Sequence, residues 1–191
     1  MDVDHEQDPL PRLLDHLAND ILESRPVRVL SMAAAPAHLV MLPDTDPRAR
    51  RVINRKSIVD GLSPGTVVIH ARSGLGGNPR MVNLLSRDEQ LRLPRNAYVG
   101  VAEIVTVRHV TFFWGLHDDR AAEGRRITHQ LHWVASHPYT IGPWCVVLRS
   151  CRAFRFPVHA IARHRRTYEL PSSHTQAIMY QLSLLMEAQQ A

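Results

Sequence analysis

Apolar residues recur at helical spacing over residues 9–23, where Leu10, Leu13, Leu14, Leu17 and Ile21 share one face and Asp15, Asn19 and Asp20 lie off it. Pro11 stands in the first turn, where proline is tolerated, and Pro26 ends the segment. The period then shortens to two, and Val27–Met32 predicts a strand. Residues 33–42 predict a short helix, the Pro- and Asp-rich stretch 43–47 a loop, and residues 49–56 an extended run. A Ser-Pro-Gly turn at 63–65 leads into a β-branched strand over 66–72, which ends in a glycine-rich loop at 73–79. One helix is predicted over 80–92. The strongest β signal follows at 97–113, long enough to bend, with Gly100 as the candidate site of the bend. Residues 115–126 are polar and loop-like, and 126–136 form a short segment compatible with a helix. A strand is predicted over 143–154 and a partly extended run over 157–170. Pro171 opens a final helix, with Ser173 and Gln176 at capping-box spacing and Ile178, Met179, Leu182, Leu185 and Met186 on its apolar face.

Several strands interrupted by short helices predict an α+β fold built around a small β-barrel, with added N- and C-terminal helices. The order shows no regular βαβ alternation and the chain has neither GxGxxG nor GxxxxGK[ST], which argues against a dinucleotide or Walker-type nucleotide site. A length of 191 residues fits one domain that buries its own core without disulfides or metal. No apolar run reaches membrane-spanning length, and the acidic N-terminus lacks the apolar stretch of a secretory signal, so the expected address is the cytoplasm. Cys145 and Cys151 are accordingly expected to be free thiols.

Charge changes the picture more than the net +5 suggests. Residues 1–24 hold seven acids and one base, a balance of −6, whereas the rest holds 22 bases and 11 acids, a balance of +11. A basic body with an acidic arm points to a polyanionic partner for the body. The arm could compete with that partner, in which case deleting residues 1–24 would tighten binding. Alternatively, Leu10, Leu14, Leu17 and Ile21 simply dock on the body or on a second subunit. The bases are almost all arginine, and Lys56 is the single lysine.

Asn54, Arg55 and Lys56 place an amide and two cations in succession. On a strand Asn54 and Lys56 face one way and Arg55 the other. An amide reads base edges and cations neutralise phosphate. Glu103 lies among apolar neighbours, so it is either on a wet face or buried with a partner, for which Arg50, Arg55 and Lys56 are the candidates. Buried, it suits a general acid or base. Ser31 and His70 offer a hydroxyl and an imidazole, but no aspartate-oriented triad is readable. His129 and His132, with His117, Asp118, Asp119 and His137 nearby, lack the converging spacing of a metal site, and no metal or cofactor is expected. Trp114, Trp133, Tyr139 and Trp144 lie in the second half, and an aromatic beside arginine can stack an unpaired base.

Five segments in order resemble the ASCH family, a branch of the PUA-like superfold. They are Val29-Leu30-Ser31-Met32 followed by Ala35-Pro36-Ala37; Ala49 to Arg55; Gly65-Thr66-Val67-Val68-Ile69-His70-Ala71; Val99 to Val105; and Pro143 to Leu148 with Arg152, Pro157 and Tyr168-Glu169-Leu170. The resemblance divides the chain into an acidic helical arm at 1–26, an ASCH-like, PUA-like domain at 27–170 and a C-terminal helix at 171–191. It implies a small barrel whose cleft faces RNA or a modified nucleoside. Some members are similar to RNA-binding modules, and others to amidohydrolases on acylated cytidine or to ribonucleases.

Of the set those hydrolases use, Glu103 is retained, whereas Arg50 stands at the lysine position and Ile53 at a Glu or Thr position. Arginine does not readily lose its proton and cannot replace a lysine base or nucleophile. The favoured expectation is therefore an RNA- or nucleotide-binding module, with Ser31, Arg50, Asn54, Arg55, Lys56, His70 and Arg72 around the ligand and Trp144 as the stacking ring. The first alternative is a hydrolase on RNA or an acylated nucleoside, using Glu103 and Lys56. The second is a protein-interaction element that kept the barrel and lost the chemistry.

Overall fold

The computed structural model describes residues 10–57, 62–76, 79–114, 134, 140, 142–161 and 166–190. Helix α1 (Leu10–Leu22) precedes strand β1 (Arg28–Met32), helix α2 (Ala34–Met41), and strands β2 (Val52–Arg55) and β3 (Gly65–Ala71). Two short helices, α3 (Pro79–Val82) and α4 (Arg87–Arg92), lead into β4 (Ala97–His109) and the helical turn α5 (Val110–Trp114). Strands β5 (Trp144–His159) and β6 (Thr167–Glu169) and helix α6 (Ser172–Gln190) complete the described fold.

The six strands form one mixed sheet in the order β2-β5-β4-β3-β1-β6. Only β1 and β3 run parallel; the remaining pairs are antiparallel. The alternation that predicted the strands sorts their residues onto two faces. Leu30 and Ile69 join Met32, Leu39, Ile104 and Leu148 in a core beneath α2. Their neighbours Val29 and Val68 face the other way, where Leu14, Leu17, Tyr98, Ile178 and Leu182 close a second core under α1 and α6. A fully buried aliphatic side chain contributes about 1.5–3 kcal/mol, so the two terminal helices stabilise the sheet face they cover.

The fold is α+β, but the sheet is not a closed barrel. No ladder joins β2 to β6 among the described residues, and both edge strands are short. The sheet is nevertheless strongly rolled. Laid flat, β2 and β1 would stand roughly 19 Å apart, four strand spacings, yet the Arg55 guanidinium at the end of β2 donates to the Ser31 carbonyl of β1 at 3.4 Å. The two edges therefore face each other across a seam bridged by side chains.

Several predicted boundaries move. The helix expected over 80–92 is two helices, because Ser86 starts a new one: its hydroxyl accepts from Glu89 N, and Glu89 accepts from Ser86 N at 2.7 Å. The strand expected to reach 113 stops at His109. Residues 110–114 turn helical, and the i, i+3 pair Val110 and Phe113 then shares one small core with Val52, Cys145 and Val147. Strand β5 runs on to His159, and Pro157 is accommodated where the β4–β5 register shifts between Tyr98 and Gly100. Ser173 lies inside α6, which begins at Ser172, so the capping box expected there is not formed; Thr175 Oγ1 instead donates to the Ser172 carbonyl.

Candidate functional site

The parallel register of β1 and β3 sets Ser31 opposite His70. Both are fully buried, and Ser31 Oγ lies 3.2 Å from His70 Nδ1. On the far side of the ring, Nε2 is 2.9 Å from the Ala160 carbonyl. A carbonyl only accepts, so Nε2 carries the proton, Nδ1 is the acceptor, and the Ser31 hydroxyl donates to it. Burial holds His70 below the ordinary histidine pKa, with Arg72 and His174 adding to the effect against the Ala160 hydrogen bond. Tyr98 and Tyr168 meet the ring edge-on at 5.3 and 6.1 Å between centroids. The Tyr98 hydroxyl pairs with His174 Nδ1 at 3.0 Å and also neighbours the Tyr168 hydroxyl, and burial, then the contact with Tyr98, pushes the Tyr168 hydroxyl pKa up.

Three arginines gather beside this dyad. Arg55 arrives from the end of β2, at one edge of the sheet. Arg166 immediately precedes β6, at the other edge, and its carbonyl accepts from Ser31 N at 2.8 Å. Arg72 follows β3, and its backbone N–H donates to the Met32 carbonyl at 2.8 Å. Burial, then Arg166, then Arg72 push the Arg55 guanidinium down to about 10. The Nε groups of Arg55 and Arg72 are buried without hydrogen-bond partners among the described residues, and Arg166 spends one N–H on Ser57 Oγ at 3.3 Å. Among the described residues no carboxylate forms an ion pair with any of the three. Arg166 is exposed and Arg55 and Arg72 are half-buried, so the cluster is open to solvent.

The residues expected at the site are thus divided. Ser31, Arg55, His70 and Arg72 meet at the seam. Trp144 stands opposite Arg55 in the β2–β5 register, half-buried and edge-on to His109 at 5.5 Å. Lys56 lies just beyond β2, exposed and without a side-chain partner among the described residues.

The others are engaged elsewhere. Asn54 Oδ1 accepts from Gly142 N at 3.0 Å, tying β2 to the start of β5. Arg50 is 2% exposed, and its backbone N–H donates to the Leu39 carbonyl. Glu103 pairs with none of the bases expected for it: it takes a bidentate ion pair from Arg149, across the β4–β5 ladder, at 2.8 and 2.9 Å. Arg166 and Tyr168 are the seam residues that the sequence reading did not select. The available signal for Arg166 was the basic run Arg163-His164-Arg165-Arg166.

A separate cavity of about 90 Å³ lies between α2 and the β4–β5 pair, lined by Ala34, Met41, Val99, Phe154 and Pro157 with His38 as its polar edge. It is well below the few hundred Å³ usual for small-molecule pockets. Among the described residues no group of three His, Cys, Asp or Glu side chains could hold a metal. His117, His129, His132 and His137 lie outside the described residues, as do Trp133 and Tyr139. No helix among the described residues is long and apolar enough to cross a membrane.

No family model matches the sequence, and no curated protein matches it. The chain is similar to the crystal structure of ASCH from Zymomonas mobilis, with 15% identity, 80% of this chain and 93% of that one covered, and a TM-score of 0.40. It is also similar to a point variant of that protein, with 14% identity, 82% and 98% covered, and a TM-score of 0.43.

Proposed function

We propose that this chain is an RNA-binding protein that holds phosphate at the seam of its rolled sheet. The observation that carries the reading is the convergence of Arg55, Arg72 and Arg166, with which no carboxylate among the described residues forms an ion pair. Three neighbouring guanidiniums repel one another, and an anion between them stabilises the arrangement. Arginine suits phosphate because its planar fork donates two parallel hydrogen bonds. The exposed Lys56, beside Arg55, extends the positive surface, and the half-buried Trp144 ring offers an apolar face next to it. The excess of +11 outside residues 1–24 supports a polyanion over an isolated small anion.

The test is binding of the full chain to a mixed single-stranded RNA pool across a salt series, alongside Arg166→Ala and Lys56→Ala. Both substituted residues are exposed, so folding should be preserved. Affinity should fall with log salt, and each variant should lose about 0.7 of slope for each phosphate contact removed. Binding that is absent at low salt, or insensitive to both substitutions, would overturn the reading.

A further inference from the structure

We infer that the seam takes a terminal phosphate, a phosphate monoester at an RNA end or on a nucleotide, in preference to the phosphodiesters inside a strand. This rests on the seam being the phosphate site. The first argument is charge. Arg55, Arg72 and Arg166 bring three positive charges together, and no described carboxylate offsets them. A diester supplies one negative charge, whereas a monoester supplies close to two near neutral pH. The dianion offsets more of the mutual repulsion, and the difference is amplified where the donors are withdrawn from water.

The second argument is the number and placement of donors. A guanidinium carries five N–H groups. Among the described residues Arg55 spends one on the Ser31 carbonyl at 3.4 Å and Arg166 one on Ser57 Oγ at 3.3 Å, while the Nε groups of Arg55 and Arg72 are buried and unpartnered. The donors reach the seam from three elements, the two edges of the sheet and the end of β3 between them. A monoester presents three terminal oxygens to such a set, and a diester only two. Donors that come from three separate elements fit a chain end. A strand passing through would need them spaced along a groove, as in proteins that follow the backbone of single-stranded nucleic acid.

The experiment compares one short RNA in three forms, with a 5′-phosphate, with a 3′-phosphate and with hydroxyls at both ends, by fluorescence anisotropy with the full chain at fixed salt. At least one phosphorylated form should bind about tenfold or more tightly than the hydroxyl form, as expected for one added charge-assisted contact set. Arg72→Ala and Arg166→Ala should each erase most of that advantage, weakening the phosphorylated form by a larger factor than the hydroxyl form. Competition by a nucleoside monophosphate and by inorganic phosphate separates the sources: displacement by the monophosphate identifies a free nucleotide as sufficient, and displacement by neither identifies an RNA end. Equal affinity for all three forms, with salt dependence intact, would overturn the terminal-phosphate inference and leave the phosphate reading standing. Salt-insensitive or absent binding of all three would remove both.

Discussion

Ser31 donates its hydroxyl hydrogen to His70 Nδ1 across the parallel β1–β3 ladder, and both side chains are sealed from water. The usual nucleophile–base arrangement hydrogen-bonds the serine to one ring nitrogen and lets a carboxylate orient the other. Here a backbone carbonyl, that of Ala160, takes the orienting place. The dyad therefore fixes a tautomer and holds Ala160 against β3; with both side chains fully buried, it offers no attacking group to solvent.

That arrangement gives a spectroscopic expectation. Nitrogen-15 correlation spectra at neutral pH should show His70 protonated at Nε2 and unprotonated at Nδ1. Ser31→Ala should leave the tautomer in place, because the Ala160 bond selects it, and should cost about 1–3 kcal/mol by leaving Nδ1 buried without a donor. A proton found on Nδ1 would contradict the Ser31–His70–Ala160 chain as described.

Stability should depend on pH in the histidine range. His38 and His70 are both held below the ordinary value of 6.5, in each case by burial first. In the unfolded chain each takes up a proton near 6.5, whereas the folded state resists it, so the unfolded state binds more protons below that pH. The contribution is complete above about pH 6.5 and is lost as pH falls from there to the lowered folded values. Thermal midpoints measured from pH 7.5 to 5.5 should therefore fall with acidity, by at most about 1.4 kcal/mol per pH unit for each histidine. His70→Gln should flatten the slope. A midpoint that rises on acidification would contradict the burial of both rings.

Much of the fold was legible in local pattern, and most of the site was not. Helix α1 and strands β1 and β3 could be read from the periods of their apolar residues, because each buries one face or alternates between two cores. Glycine at position 100 marked the β4 register shift for a simple reason. A side-chain carbon there would strike the Arg152 carbonyl oxygen and the Met41 sulfur. The partners of Asn54 and Glu103 lie 88 and 46 residues away, set by strand order that no local period encodes. Arg166 was missed for the same reason: only the rolling of the sheet brings the residue before β6 to the end of β2.

Gly100→Ala should consequently be costly although it adds one carbon. The clash is with backbone as well as with a flexible thioether, so side-chain rearrangement alone does not relieve it. Overpacking of this kind costs about 1–3 kcal/mol and occasionally more. The urea midpoint should shift accordingly with the slope unchanged. A midpoint within error of the parent would mean that β4 and β5 stand further apart there.

Glu103 and Arg149 should behave as a surface ion pair. The Arg149 side chain is 45% exposed and that of Glu103 is 23% exposed. Pairs of this kind contribute about 0.2–1 kcal/mol. A double-mutant cycle of Glu103→Gln and Arg149→Met should return a coupling in that range, weakened by salt. RNA affinity should be unaffected by Glu103→Gln, because its carboxylate is committed to Arg149 and not to the arginines at the seam. A loss of RNA binding or of RNA cleavage on Glu103→Gln alone would move the chemistry to this strand and revive the hydrolase alternative.

Helix α1, the described part of the acidic N-terminal segment, is anchored by apolar contact, and this decides what its removal does first. Leu14 and Leu17 of α1 are at most 1% exposed and pack with Val68, Ile178 and Leu182, whereas Asp15 and Asn19 face solvent. Deleting residues 1–24 strips the cover from this face of the sheet, and Leu14→Ala alone should cost about 2–5 kcal/mol. The competition idea requires something else, that the acids themselves repel RNA. Replacing Asp15 and Glu23, both exposed, with Asn and Gln keeps the helix docked and removes two negative charges. If the arm competes electrostatically, this double variant should bind RNA more tightly at low salt and equally at high salt, where exposed charges are screened beyond a few ångströms. If affinity is unchanged at both salts while Leu14→Ala lowers the melting temperature, α1 acts as a structural cover for the β3 face and not as a competitor for the seam.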